Sequence, residues 1–201
     1  MAKLYFRYSA MGAGKSLDLL KVAFNYEQRG QNVALFTTNK DDRFGEGVIA
    51  SRIGIKKEAI LFDDNTDIFN EVIHLENKNK KINCVLIDEC QFLNKEQVLN
   101  LTFIVDKLEI PVICYGIRTD FKGELFEGSA SLFALADNIE EIKTICHCGR
   151  KAIMNARIKN GKIIKDGEQV EIGDSSYVSL CREHYNSGIL DPKKSSYDEE
   201  D

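Results

Sequence analysis

The sequence predicts an α/β fold, a mainly parallel sheet flanked by helices, followed by a small β-rich unit. Three observations predict it. Short apolar runs alternate with stretches of helical period through the first two-thirds of the chain. The first of those runs leads directly into a loop of small residues and then a helix. The last third changes to turn-rich sequence with clustered cysteines and histidines.

Taken in order, residues 3–8 form a short buried strand. Residues 16–29 form a helix with Leu17, Leu20 and Phe24 on one face, and Gly30 stands where it should end. Residues 33–37 are a second β-rich run, and residues 66–77 carry Ile68, Phe69, Val72 and Ile73 at helical spacing. Residues 82–87 form the third strand and lead into Asp88. Asn94 then caps a helix with Gln97 three residues on, followed by a stripe of Val98, Leu101, Val105 and Leu108. Pro111 opens a fourth strand at residues 112–115. Strands alternating with helices imply parallel pairing and right-handed crossovers, so residues 1–140 are assigned to this α/β domain.

The segment 141–190 reads differently. Residues 157–164 alternate around Asn160-Gly161, a pair suited to a tight hairpin turn, and Asp166-Gly167 and Gly173-Asp174 add further turns. About 50 residues rarely hold a sufficient core without a staple. Residues 191–201 are charged and polar and are expected to be a disordered tail.

A chain of 201 residues, 43% hydrophobic and 29% charged, can bury one substantial core with an appendage. Its formal net charge of −5 gives no bulk attraction for nucleic acid or anionic membranes, and neither is expected as a partner. No stretch approaches the roughly 20 apolar residues that cross a bilayer. The opening residues run straight into a strand without the apolar region and cleavage site of a secretory signal, so a cytoplasmic location is expected. Of the six cysteines, Cys84, Cys90 and Cys114 read as small core residues. His74 reads as a solvated residue on a polar helix face.

Ser9-Ala10-Met11-Gly12-Ala13-Gly14-Lys15-Ser16 follows the first strand and opens the first helix. Small residues let backbone N–H groups close around phosphate oxygens, and the helix N-terminus favours the negative charge. Lys15 can reach the terminal phosphates, and the Ser16 hydroxyl can ligate magnesium. Ser9 stands where this loop usually has glycine; a positive φ there would cost about 1 kcal/mol or more. Val85-Leu86-Ile87-Asp88 is a strand rising to a carboxylate that can hold magnesium against ATP. Glu89 is free to act separately, by accepting the proton of an attacking hydroxyl or, in an ATPase, by activating water. Local sequence leaves both open.

Cys146-His147-Cys148 and the distant Cys181-Arg182-Glu183-His184 form paired knuckles. In a reducing compartment they fit a structural zinc held by Cys146, Cys148, Cys181 and His184, with His147 as a substitute ligand.

The order of these features resembles the zinc-containing, tetrameric type II thymidine kinase family over about residues 3–190. The resemblance is carried by the phosphate loop with Met11, by Asp88-Glu89-Cys90-Gln91-Phe92, Tyr115-Gly116-Ile117 and Asp120-Phe121, and by the cysteine-rich end. Asp41-Asp42-Arg43 and Ser51-Arg52-Ile53-Gly54 match two further stretches of the family. Cys90 stands for an alanine there, and Ile117-Arg118 for Leu-Asp. The resemblance implies a P-loop, RecA-like sheet with a zinc-ribbon-like β domain and a lid loop. It also implies ATP-dependent phosphorylation of thymidine, and of deoxyuridine, at the 5′-hydroxyl with Glu89 as base. Arg43 and Gln91 would join the loop residues and Asp88 around ATP and magnesium. Met11, Phe92, Ile117, Phe121 and Phe126 would line the base pocket. Val170, Glu171, Ile172 and Gly173 would hold the base through backbone groups, and Tyr177 would touch sugar or base. A homotetramer and inhibition by the end product dTTP are further implications. Two competing readings are a nucleic-acid-stimulated ATPase, opposed by the acidic balance, and a nucleotide-gated module, opposed by Glu89 beside Asp88.

Overall fold

Strands and helices alternate from Leu4 to Glu141, apart from a run of four strands after the first helix, in a computed structural model, which describes residues 1–40, 45–78, 81–169 and 176–191. In order these are β1 (Leu4–Ser9), α1 (Lys15–Glu27), β2 (Asn32–Thr38), β3 (Val48–Ala50), β4 (Lys56–Glu58), β5 (Ile60–Phe62), α2 (Ile68–Asn77) and β6 (Ile82–Ile87). After a 3-10 turn at Cys90–Phe92 come α3 (Lys95–Leu108), β7 (Val112–Ile117), α4 (Glu127–Leu135) and β8 (Asn138–Glu141). The remainder comprises β9 (Thr144–Ile145), β10 (Lys151–Ala152), β11 (Met154–Lys159), β12 (Lys162–Ile164), β13 (Ser176–Leu180) and α5 (Arg182–Ser187). The expected tail lies outside the described residues beyond Asp191. Among the described residues no helix is long and apolar enough to cross a membrane.

Six strands form one sheet in the order β5-β2-β6-β7-β1-β8, and every pairing in it is parallel. The period-2 alternation of β6 sorts its side chains onto two faces. Val85 and Ile87 enter a layer with Val72 of α2, Leu101 and Ile104 of α3 and Leu132 of α4. Cys84 and Leu86 enter the opposite layer with Leu19, Leu20 and Ala23 of α1 and Ile49 of β3. Burying each such aliphatic side chain contributes about 1.5–3 kcal/mol. Cys84, Cys90 and Cys114 are all fully buried core residues, and His74 is exposed.

The face expected for the first helix needs correction. The structure buries Leu19, Leu20 and Ala23, while Phe24 is 57% exposed. Both triplets have helical spacing, so periodicity alone does not choose between them; the stripe containing Ala23 lets the helix lie close to the sheet. The α3 start is as expected: Asn94 Oδ1 accepts from Gln97 N at 2.8 Å, and Gln97 Oε1 accepts from Asn94 N at 3.0 Å. β8 is an edge strand beside β1, and its mostly exposed residues give no apolar run to read.

The second part holds a three-stranded antiparallel sheet in the order β12-β11-β13. Asn160 (φ 51°) and Gly161 (φ 67°) form the tight turn between β11 and β12, both in the left-handed region that such a turn requires. Its core is small: Cys146, Ala152, Ala156, Leu180, Cys181 and Tyr185.

Candidate active site

β1 delivers the chain to the phosphate loop. Ser9 is the last residue of β1, paired with Ile117 of β7, and lies outside the left-handed region, so the strain that a serine could have carried there does not arise. Its hydroxyl donates to Ala10 O at 2.6 Å and accepts from Lys15 Nζ at 3.1 Å. Gly12 (φ 71°) and Gly14 (φ 81°) supply the left-handed turns, and α1 begins at Lys15. Lys15 is buried, with its ammonium turned back across the loop.

β6 delivers the acidic pair. Asp88 is 4% exposed; its Oδ2 accepts from Ser16 Oγ at 2.9 Å and its Oδ1 from Glu89 N at 3.1 Å. Burial and the neighbouring Glu89 charge push the Asp88 carboxyl up to about 7, against the opposing pull of the Ser16 hydrogen bond and the Lys15 charge. A buried carboxylate and a hydroxyl side by side at a phosphate loop form the donor set of a phosphate-bound magnesium, whose charge would relieve that cost.

Glu89 sits in the left-handed region (φ 51°), which costs a side-chain-bearing residue about 1–2 kcal/mol. The sharp turn separates its carboxylate from that of Asp88. Gln91 holds it there: Gln91 Nε2 donates to Glu89 Oε2 at 2.5 Å, and Gln91 Oε1 accepts from Ile117 N at 3.2 Å. The Gln91 side chain thus bridges Glu89 and β7. Two glycines make room for this turn. A Cβ on Gly116 would lie 2.6 Å from Cys90 Sγ, and one on Gly128 would lie 2.5 Å from Cys90 O.

The expected pocket residues fall into two groups. Phe92 and Phe126 meet edge to face with centroids 5.8 Å apart, and Ile117 adjoins them through Gln91. Phe121 is buried, with the Arg157 guanidinium 3.6 Å from its ring centroid, and Arg157 Nε donates to Tyr177 Oη at 2.8 Å. Met11 bridges toward the second group: its N–H donates to Asn155 Oδ1 at 2.8 Å, and its carbonyl accepts from Ser179 Oγ. Arg43, Val170, Glu171, Ile172 and Gly173 lie outside the described residues.

Asn155, Arg157 and Ser179 carry no signal in the sequence that marks them as site residues. They share one face of the small sheet with Tyr177, because Asn155 pairs with Ser179 and Arg157 with Tyr177 in register. Asn155 Nδ2 also donates to Thr119 O at 2.8 Å, and Arg157 Nη2 to Glu168 O at 3.0 Å. In the sequence this face looks like the solvated side of a hairpin. The burial of Asn155 and, above all, of the charged Arg157, 1% exposed, marks it as an inner face.

Cys146, Cys148, Cys181 and His184 converge with their ligand atoms within 4.8 Å of one another. Cys146 Sγ lies 3.4 Å from His184 Nδ1, and Cys148 Sγ 3.9 Å from Cys181 Sγ. Zinc–sulfur and zinc–nitrogen bonds in a tetrahedron imply separations of about 3.5–3.8 Å, so the donor set fits zinc. The Arg150 hydrogen bond to its sulfur lowers the Cys148 thiol to about 7, which favours the thiolate that a metal needs. His147 stacks on His184 with centroids 4.3 Å apart and stands outside the converging set.

Comparison with known proteins agrees with this geometry. The family described as thymidine kinase matches residues 2–185. The chain is 56% identical over 191 residues to the thymidine kinase of Vibrio vulnificus strain CMCP6, covering 94% of this chain and 99% of that protein. It is 54% identical over 193 residues to the thymidine kinase of Shewanella oneidensis, covering 95% and 100%. Against the thymidine kinase of Haemophilus influenzae it is 55% identical over 188 residues, covering 92% and 96%.

Proposed function

The chain belongs to the thymidine kinase family, and from that premise we propose that it transfers the γ-phosphoryl group of ATP to the 5′-hydroxyl of thymidine, and of deoxyuridine, for nucleotide salvage. The observation that carries this reading is the placement of Glu89, one residue beyond the buried Asp88 and gripped by Gln91. A water-activating ATPase needs no acceptor site beside its base; here Phe92, in the turn that follows Glu89, packs edge to face on Phe126.

The loop 9–16 cradles the triphosphate through its N–H groups, Lys15 neutralises the terminal phosphates, and Ser16 and Asp88 would hold magnesium. Magnesium held there would offset the charge of the phosphates. Glu89 accepts the 5′-hydroxyl proton as the oxygen attacks. Gln91 keeps that carboxylate from collapsing onto Asp88. By the family resemblance, Arg43 would join the phosphate contacts and Val170, Glu171, Ile172 and Gly173 would hold the base. Cys146, Cys148, Cys181 and His184 would hold zinc, which would fasten together the two ends of the segment 149–180.

The family resemblance extends the reading to a cytoplasmic homotetramer inhibited by dTTP. The test is Glu89→Gln. We expect ATP binding to be retained and thymidine phosphorylation to fall by about 10²-fold or more, measured by transfer of label from ATP to each nucleoside with and without single-stranded DNA. Unchanged turnover would remove Glu89 from the role of base. Inorganic phosphate released only with DNA would favour an ATPase.

A further inference from the structure

A second cationic side chain, besides Lys15, stands over the phosphate loop. β3 and β4 form a hairpin pairing Ala50 with Lys56, and Ser51 closes its turn with four contacts. Ser51 N donates to Ile55 O at 2.9 Å, Gly54 N to Ser51 O at 3.0 Å, and the Ser51 hydroxyl exchanges bonds with Ile55 O at 3.2 Å and Ile55 N at 3.1 Å. The turn is therefore rigid and presents Arg52 at its tip. The hairpin is also anchored: Ile49 is 1% exposed against Leu19, Leu20 and Ala23 of α1, and Lys57 pairs with Glu27 at the far end of that helix. Since α1 begins at the loop, this docking sets Arg52 against it. A Cβ on Gly12 would lie 3.7 Å from Arg52 Nη1 and 3.9 Å from Nη2, so both arms of the guanidinium face the loop. Among the described residues Arg52 makes no hydrogen bond or ion pair.

A solvated guanidinium needs no partner, but one lying over an anion cradle is placed for the anion. We propose that Arg52 is a catalytic residue that contacts the terminal phosphate oxygens of ATP during transfer. The inference rests on the kinase reading above. As the bond from γ-phosphorus to the β–γ bridging oxygen breaks, its electron pair stays with ADP. The new bond forms to the 5′-oxygen of the acceptor, and the hydroxyl proton passes to Glu89. Arg52 donates hydrogen bonds throughout and gives up no proton. Its planar fork spans two oxygens at once, whereas Lys15 acts as one point charge, so the two side chains do not duplicate each other. Charge spread over the equatorial oxygens in the transition state is what such a fork stabilises.

The experiment compares parent, Arg52→Ala, Arg52→Lys and Arg52→Gln enzymes, each zinc-loaded, in thymidine phosphorylation with labelled ATP. Arg52 is exposed, so each variant should keep the parent's Tm and zinc content. We expect kcat of Arg52→Ala to fall about 10²-fold or more, with the KM for thymidine changed by less than about 3-fold because the base pocket is untouched. Lysine should restore only part of the rate, and added methylguanidine should raise the rate of Arg52→Ala but not of Arg52→Lys. A kcat for Arg52→Ala within about twofold of an active parent would overturn the role of Arg52 alone. A parent that moves no phosphate to thymidine would overturn the kinase reading and this inference with it.

Discussion

The two sheets of this protein are held by different means. The six-stranded parallel sheet has an apolar layer on each face: one filled by α2, α3 and α4, the other by α1 and the β3–β4 hairpin. The three-stranded sheet has one small apolar side, where two of six core residues are cysteines of the metal-ligating cluster. Its other side is polar, with Asn155 and Arg157 buried and Tyr177 and Ser179 half-buried, and it faces the active site. The first sheet gains its stability from area removed from water. The second exchanges apolar area for polar groups that reach the phosphate loop, and so needs another source of stability. A surface built to meet a neighbouring site cannot also be the core that folds the unit.

The sharpest way to break this comparison is to remove the metal. Structural zinc contributes on the order of 10–16 kcal/mol in small isolated sites, far more than the buried area here can replace. Chelation, or Cys181→Ser, should abolish phosphorylation and expose the amides of β11 and β13 to hydrogen exchange. Those of β1, β6 and β7 should stay protected. Simultaneous loss of protection in both sheets would show one cooperative unit instead of two. Gly128→Ala attacks the large sheet in the same terms. Its Cβ would meet Cys90 O at 2.5 Å and Leu93 O at 2.7 Å, both backbone atoms. We expect a loss of about 3 kcal/mol, read as a lower Tm at unchanged zinc content, together with reduced kcat as the Glu89 turn shifts. Asn155→Ala tests the seam between the sheets. It unpairs Met11 N and Thr119 O and should cost about 1.5 kcal/mol. Its signature is a raised KM for ATP with zinc retained; a raised KM for thymidine alone would place Asn155 in the base pocket instead.

Much of the large sheet was legible because its chemistry is local. The Asn94–Gln97 box, the apolar run ending at Asp88 and the loop 9–16 each state their structure within a few residues. The Asn160-Gly161 turn was legible for the same reason. Where two answers satisfied one period, the sequence could not decide, as the buried stripe of α1 shows. β8 escaped because an exposed edge strand has no apolar signature. In the site, Asp88, Glu89 and the zinc cluster are recognisable by residue type and spacing. Asn155, Arg157 and Arg52 are not, because an asparagine or arginine in a short strand or turn reads as solvated until the opposite surface is known. Only the tertiary contact turns Arg157 into a buried platform on Phe121 and Arg52 into a guard of Gly12.

Met11 is a residue of the phosphate loop, yet both its backbone groups are bonded to the small sheet, one by Asn155 and one by Ser179. Two hydrogen bonds therefore join the nucleotide cradle to the unit that carries the metal ligands, a route by which the state of one can bear on the other. Coupling free energy between sites is reciprocal. By whatever factor the metal tightens the grip on triphosphate, triphosphate must tighten the grip on the metal.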